Sequence, residues 1–247
     1  MIFILFEVII MKIMSFNTQH CLNFLEQKID YECMANAILK CRADIVGLNE
    51  MYGISKNASE NSQELGEQVK ILSRLTGLKY HYFARAITDL PWGDYGNGFI
   101  SKYKIVSSET IMIPDPIEKS SDGHYETRCI LKVVLENGLT VLVTHFGLCP
   151  DEQENAVKTV LENVKSEKCI LMGDFNVAPD NPLLKPIYER MKDTAILFNE
   201  EKLSWPSDKP KMKIDYIFVS PDIEIVNADI PELVASDHRP HLTEIKY

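Results

Sequence analysis

Short apolar runs recur along the chain at Lys12 to Phe16, Asp44 to Leu48, Gly98 to Ser101, Cys129 to Leu135, Thr140 to Thr144, Cys169 to Met172, Asp215 to Val219 and Glu224 to Val226. Each predicts a β-strand, and most are apolar on both faces, which suits strands inside a sheet covered on each side. Between them, helical periodicity predicts helices over Cys21 to Lys40, Ser59 to Leu75 (closed by Gly77), Glu152 to Lys165 and Pro182 to Lys192. Leu65, Val69, Leu72 and Leu75 make one apolar stripe, and Ala156, Val157, Val160 and Val164 another. These are core faces. The run VVLENGLTVLVTH holds Asn137-Gly138 at its centre, two residues that tolerate positive φ, and so predicts a hairpin that a purely parallel sheet cannot contain. Strands joined both by helices and by a tight hairpin imply mixed sheets. The expected fold is α/β (α+β), a four-layer α/β/β/α sandwich of two mixed β-sheets flanked by helices. Prolines are dispersed and no repeat or low-complexity tract divides the chain, so a single domain over 1–247 is expected.

Composition narrows the setting. The 247 residues are 45% hydrophobic, enough for a large core, and 26 basic against 36 acidic residues give a net charge of −10. Such a surface repels a nucleic-acid backbone over any extended footprint, so a phosphate-bearing substrate needs a local site. Six cysteines without a CxxC pair read as reduced, mostly buried thiols, and with no span long enough to cross a bilayer the expectation is a cytoplasmic monomer. The apolar run Met1 to Met14, broken by Glu7 and Lys12, keeps secretion open, although a first buried strand is the preferred reading. Met11 offers a second translation start.

Chemistry enters where the strands stop. Apolar runs terminate in Asn17, Glu50, His145, Asp174 with Asn176, Asp215, and the triplet Ser236-Asp237-His238. One such residue is an ordinary turn cap. Six gathered at one sheet edge are costly to desolvate unless a cation or a reacting charge compensates them. Glu50, Asp174, Asp215 and Asp237 are hard oxygen donors and Asn17 and Asn176 add amide oxygens, a set that suits Mg²⁺ or Mn²⁺ better than zinc. GxSxG, a P-loop and GxGxxG are all missing, which leaves direct attack by water on a phosphate ester.

In chain order the segments SFNTQH, GLNEM, YGNGFISK, ETR, THFG, GDFNVAP, KIDYIFVS and SDHRPH resemble the endonuclease/exonuclease/phosphatase superfamily of metal-dependent hydrolases, with its DNase I-like nucleases, inositol-polyphosphate phosphatases and bacterial sphingomyelinases. The resemblance spans residues 14 to 241 and implies the DNase I-like form of the sandwich. It also implies roles. Glu50 is the principal metal ligand, with Asn17 beside it and Asp237 by the metal. Asp174 positions or deprotonates the attacking water, Asn176 contacts phosphate, and His238 is general base or transition-state stabiliser with its ring oriented by Asp215. His145 contacts phosphate and stabilises charge as the leaving oxygen departs. Asn97 is a further phosphate contact, and Arg128 either another or a surface partner of Glu126.

Two departures stand out. Asn49 replaces the commoner glutamine before the metal glutamate, and no carboxylate partner for His145 is identifiable in the sequence. Lys209, Lys211 and Lys213 form the one compact basic stretch, either a phosphate-binding rim or a solvated loop. The expectation is a Mg²⁺-dependent hydrolase (Mn²⁺ as the other candidate ion) of a small phosphoester or lipid-headgroup phosphodiester. A DNA or RNA endonuclease or exonuclease is the competing enzyme, and a catalytically dead binding module the competing class.

Overall fold

The computed structural model describes residues 10–55 and 66–247. In chain order these form β1 (Ile10–Asn17), β2 (Leu22–Asn23), β3 (Lys28–Ile29), α1 (Tyr31–Cys41), β4 (Ile45–Gly53), α2 (Gln68–Thr76), β5 (Tyr80–Ile87), β6 (Asp94–Ser101), β7 (Ile105–Met112), β8 (Cys129–Leu135), β9 (Thr140–His145), α3 (Pro150–Asn163), β10 (Cys169–Asp174), α4 (Lys185–Tyr188), β11 (Lys192–Asp193), β12 (Asp215–Val219), β13 (Glu224–Asp229) and β14 (His241–Lys246). One sheet runs β13-β14-β1-β4-β6-β5 and the other β11-β12-β10-β9-β8-β7. Each contains one parallel pair, β1 with β4 and β9 with β10, among antiparallel neighbours.

Two-residue alternation sorts each strand's side chains between layers. From one sheet Met11, Ile13, Ile45 and Phe99 face inward, and they meet Leu131, Val141, Val143, Met172 and Ile217 of the other in a dry core between the sheets. The opposite faces carry the helices: Phe16 and Leu48 pack under Met34, Ile38 and Leu72, and Leu142, Leu171 and Phe218 pack under Ala156, Val160 and Ile187. Each fully buried Val, Leu, Ile, Phe or Met among them contributes about 1.5–3 kcal/mol. The expected four-layer sandwich is therefore present, hairpin included: Gly138 takes φ 85° and its N–H donates to Leu135 O.

Two of the helices are shorter than their periodicity, while α3 keeps its expected length two residues upstream. α1 begins only at Tyr31, where Asp30 caps it by accepting from the Cys33 N–H at 2.9 Å. Upstream, the Asn23 side-chain oxygen accepts from the Leu25 and Glu26 N–H groups and turns the chain into the β2–β3 ribbon, displacing the helix expected from Cys21. Residues 59–65 of the second predicted helix, and residues 1–9 of the apolar opening run, lie outside the described residues. Over Pro182 to Lys192 only a 3₁₀ turn (Pro182–Leu184) and the short α4 form, and Lys192 belongs to β11. The edge strands β5 and β7 have solvent-facing residues in place of a continuous apolar run, so they left no strand signal.

All six cysteines are free. Among the described residues no helix is long and apolar enough to cross a membrane.

Candidate active site

Both parallel pairs end at the same edge of the sandwich. Asn17, closing β1, is in register with Asn49 of β4; Asp174, closing β10, sits between His145 of β9 and Asp215 of β12. Two backbone devices aim these side chains. At Gly173 φ is +144° and an added Cβ would lie 1.8 Å from the Thr144 carbonyl oxygen, so glycine alone allows β10 to deliver Asp174 beside β9. In β4 the register with β6 slips between Leu48 and Met51, and Glu50 at that bulge adopts φ 58°. The bulge turns the Glu50 carboxylate out of the pleat and into the cleft.

The cleft then assembles around Asp174. His238 Nδ1 lies 2.8 Å from Asp215 Oδ2, and its Nε2 points to Asp174 Oδ2 at 3.6 Å and to Asp237 Oδ2 at 4.0 Å. The Asn17 amide donates to Glu50 Oε1 at 2.9 Å and to Asp174 Oδ2 at 3.1 Å, tying the two carboxylates together. Asn176 donates its backbone N–H to Asp174 Oδ1 and its side-chain amide to Phe146 O. His145 presents Nε2 to Asp174 Oδ2 at 3.6 Å, while its Nδ1 faces Arg128 Nη1 at 3.0 Å. Arg128 is held in turn by Glu126 at 2.7 Å.

Burial works against every charge here. It pushes the Asp174 carboxyl up to about 7, with Asp215 adding to the rise and His238 opposing it. For His238, burial favours the neutral ring, but the Asp215 and Asp174 carboxylates outweigh it and hold the imidazole up at about 10. His145 goes the other way, held well below the ordinary imidazole range by burial and by the Arg128 and His238 cations. Two imidazoles on one carboxylate are thus driven apart by their surroundings, the arrangement expected of acid–base chemistry.

The structure brings Glu50, His145, Asp174, Asn176, Asp237, His238 and Arg128 to one cleft of about 410 Å³, with Asp215 immediately behind His238. Asn17 turns its nitrogen to the Glu50 and Asp174 carboxylates, and its oxygen accepts from the Gln19 N–H at 3.0 Å. Asn97 requires correction. Asn97 does not reach the cleft: it is 2% exposed, its oxygen accepts from Asn49 and its nitrogen donates to Cys129 O. The basic stretch is not one rim either, since Lys213 is buried over the Tyr216 ring, 3.6 Å from Asp193.

Other cleft residues went unnoticed in the sequence. Tyr95 forms part of the floor and accepts from Arg128 Nη1 at 3.4 Å, and His124, Leu148, Trp205, Met212 and Ile214 line the wall. Trp205 sits on a hairpin closed by mutual N–H···O bonds with Met212 and fastened to the His238 loop by Ser207 N–H donating to Asp237 O. His20, in SFNTQH, stands 3.6 Å from Glu50 Oε2.

A hard divalent cation fits this donor set. Glu50, Asp174 and Asp237 open carboxylate oxygens into one cleft, Asp174 is nearly solvent-free, and Asp215 Oδ1 is buried without a hydrogen-bond partner, so negative charge exceeds the positive charge supplied. Asp174, Asp215 and His238 each offer a ligand atom within 4.8 Å of the others. Asp215 is committed to His238 through Oδ2 and stands behind it, so the carboxylates that face the cleft are those of Asp174, Glu50 and Asp237.

Residues 14–238 match the Endonuclease/Exonuclease/phosphatase family. No curated protein matches the sequence. Among solved structures, an endonuclease/exonuclease/phosphatase from Beutenbergia cavernae is 21% identical with TM-score 0.75, covering 96% of this chain and 71% of its own. The mannosyl-6-phosphatase of Bacteroides thetaiotaomicron is 17% identical with TM-score 0.72, covering 96% and 100%. Humanized D. rerio TDP2 is 15% identical with TM-score 0.66, covering 96% and 99%. At these identities the likeness is one of fold.

Proposed function

Because this chain belongs to the endonuclease/exonuclease/phosphatase family, whose members are phosphoester hydrolases, we propose that it cleaves a small phosphoester or a lipid-headgroup phosphodiester by in-line attack of water, with Mg²⁺ as the cation. The observation that carries the reading is the meeting of the Asp215–His238 pair, Asp174 and Glu50 in one cleft. Asp215 fixes the His238 ring so that Nε2 faces the cleft, where it stabilises the reacting charge while Asp174 positions or deprotonates the attacking water. Asn176 and His145 meet the phosphate oxygens. Glu50 and Asp237 would hold the cation, with Asn17 fixing the Glu50 carboxylate; when bound, the cation neutralises phosphate oxygens and lowers the pKa of water.

The size of the substrate follows from the walls. A cleft of about 410 Å³ walled by Trp205, Met212 and Leu148 suits a small ester, and its lining holds one arginine, Arg128, and no lysine. Together with a net charge of −10 this disfavours the phosphate track that a nuclease needs. A mannosyl-6-phosphatase among proteins of the same fold is in keeping with a small substrate.

The test is a panel of sugar phosphates, inositol phosphates, cyclic nucleotides, sphingomyelin, plasmid and single-stranded oligonucleotide, each with Mg²⁺, Mn²⁺ or Ca²⁺. Turnover of a small ester, abolished by EDTA and by His238→Ala, is expected. Faster cleavage of plasmid or oligonucleotide, lost in His238→Ala, would replace this reading with a nuclease.

A further inference from the structure

Histidine has two ring nitrogens, and whatever one of them meets decides what the other can do. His238 and His145 both turn Nε2 toward Asp174 Oδ2, each at 3.6 Å. Their Nδ1 partners are chemically opposite. His238 Nδ1 lies 2.8 Å from the Asp215 carboxylate, an acceptor, so Nδ1 carries a proton and Nε2 is the site that gains or loses one. His145 Nδ1 lies 3.0 Å from Arg128 Nη1. A guanidinium has five donors and no acceptor, so Nδ1 must be the lone-pair nitrogen and Nε2 carries the hydrogen.

We infer that Arg128 is a positioning residue that locks His145 in the Nε2–H form, so that His145 serves the hydrolysis as a hydrogen-bond donor to a substrate oxygen while proton handling is left to His238 and Asp174. The inference rests on the hydrolase reading above. It also explains the carboxylate partner of His145 that the sequence lacks: an arginine occupies that place. A carboxylate there would hold Nδ1–H and leave Nε2 of a neutral ring as an acceptor, useless as a donor to phosphate oxygen. With Arg128, a ring without charge still donates from Nε2.

The guanidinium is built in to hold this position. Arg128 is 7% exposed; Nη2 pairs with Glu126 at 2.7 Å, Nη1 also reaches Tyr95 OH at 3.4 Å, and the group lies 5.9 Å from the Tyr95 ring centroid. Glu126 is itself anchored, its N–H donating to Glu152 Oε1 at 2.8 Å, and the same carboxylate accepts from the Cys149 N–H at 3.2 Å, just beyond the THFG turn. One buried glutamate at the start of α3 thus ties the segment bearing Arg128 to the segment bearing His145. The Arg128 nitrogens are spent on protein groups, apart from Nε, which is buried and unpartnered.

Long-range ¹⁵N–¹H NMR of the full chain reads the tautomer directly. Wild type is expected to show unprotonated Nδ1 and protonated Nε2 at His145, against protonated Nδ1 at His238. Arg128→Met is expected to move His145 toward Nδ1–H and to lower kcat about 10–100-fold with KM within about twofold, an effect of the size of one lost transition-state donor. Arg128→Lys, also a donor without acceptor, is expected to restore the Nε2–H form and part of kcat. In a His145→Gln background, Arg128→Met is expected to cost little more. Protonated Nδ1 at His145 in wild type overturns the inference, as does an Arg128→Met protein that loses activity with an unchanged tautomer. If Arg128→Met does not fold, the wild-type spectrum and the lysine variant decide. Absence of turnover on every phosphoester would sink the hydrolase reading and leave the spectra to decide the tautomer.

Discussion

Asn49 Oδ1 accepts the Asp174 N–H at 3.0 Å, a hydrogen bond from β4 of one sheet to the end of β10 in the other. The same side chain donates to Thr144 O and to Asn97 Oδ1, both at 2.8 Å, so one buried amide stitches the two sheets together directly beneath the site. Asn49→Leu keeps the volume and strands the Asp174 N–H, the Thr144 carbonyl and the Asn97 oxygen. An unsatisfied buried group costs roughly 1–3 kcal/mol, so a loss of about 2–4 kcal/mol in urea unfolding is expected, with a fall in kcat as Asp174 loses its backbone anchor. Stability within about 0.5 kcal/mol of wild type would mean that the bridge does not hold the sheets.

That bridge marks the boundary of what the sequence revealed. The strands that build the site are apolar on both faces and announce themselves, and their polar last residues stand out by contrast. Asn49 reads only as an unusual neighbour of Glu50, because its three bonds reach residues 48, 95 and 125 positions away, distances that no local pattern encodes. Arg128 was ambiguous for the same reason: ETR names Glu126 as its partner, and His145 becomes its second partner only when β8 and β9 pair. Asn97 misled because YGNGF places a polar residue on a strand without saying which layer it faces. The masking of helix starts at Asp30 and the breaking of the helix at Pro182 were local events whose side-chain caps compete with periodicity and win.

The Asp215–His238 contact at 2.8 Å carries the second prediction. Asp215→Asn preserves shape but removes the charge that orients and holds up the imidazole, and kcat is expected to fall about 10²–10⁴-fold with little change in KM. Since the two residues act as one unit, adding Asp215→Asn to His238→Ala should cost nothing further. Additive losses in steady-state kinetics would separate them.

Trp205 is 37% exposed, yet its hairpin is bonded to the His238 loop. An exposed aromatic at the lip of the cleft that touched only the non-reacting part of a substrate would contribute equally to ground and transition states. Trp205→Ala is therefore expected to raise KM about 3–10-fold on the preferred ester, in line with the worth of one aromatic contact, with kcat held within about twofold. A fall in kcat at unchanged KM would instead tie Trp205 to the placement of His238.

His241 provides a stability test separate from catalysis. It is fully buried between Thr194, whose hydroxyl lies 3.0 Å from Nε2, and the Asp215 carbonyl, 3.2 Å from Nδ1. Burial, with Lys213 adding to it, lowers its imidazole to about 3 from an ordinary 6.5. Between those values the unfolded chain binds a proton that the folded one refuses, so this residue's contribution is fully present above about 6.5 and is lost as pH falls toward 3, at up to about 1.4 kcal/mol per pH unit. Asp174, raised to about 7, and His238, raised to about 10, work in the opposite sense, while His145, also lowered, works in the same sense as His241, so the absolute slope mixes them. The difference between wild type and His241→Asn isolates His241. The asparagine amide donates to the Asp215 carbonyl but forgoes the Thr194 bond, a cost of about 1 kcal/mol at pH 7.5. That cost is expected to shrink and reverse by pH 5 in urea unfolding, because the variant has no imidazole to protonate; parallel stability curves across this range would show that His241 is not buried as a neutral ring.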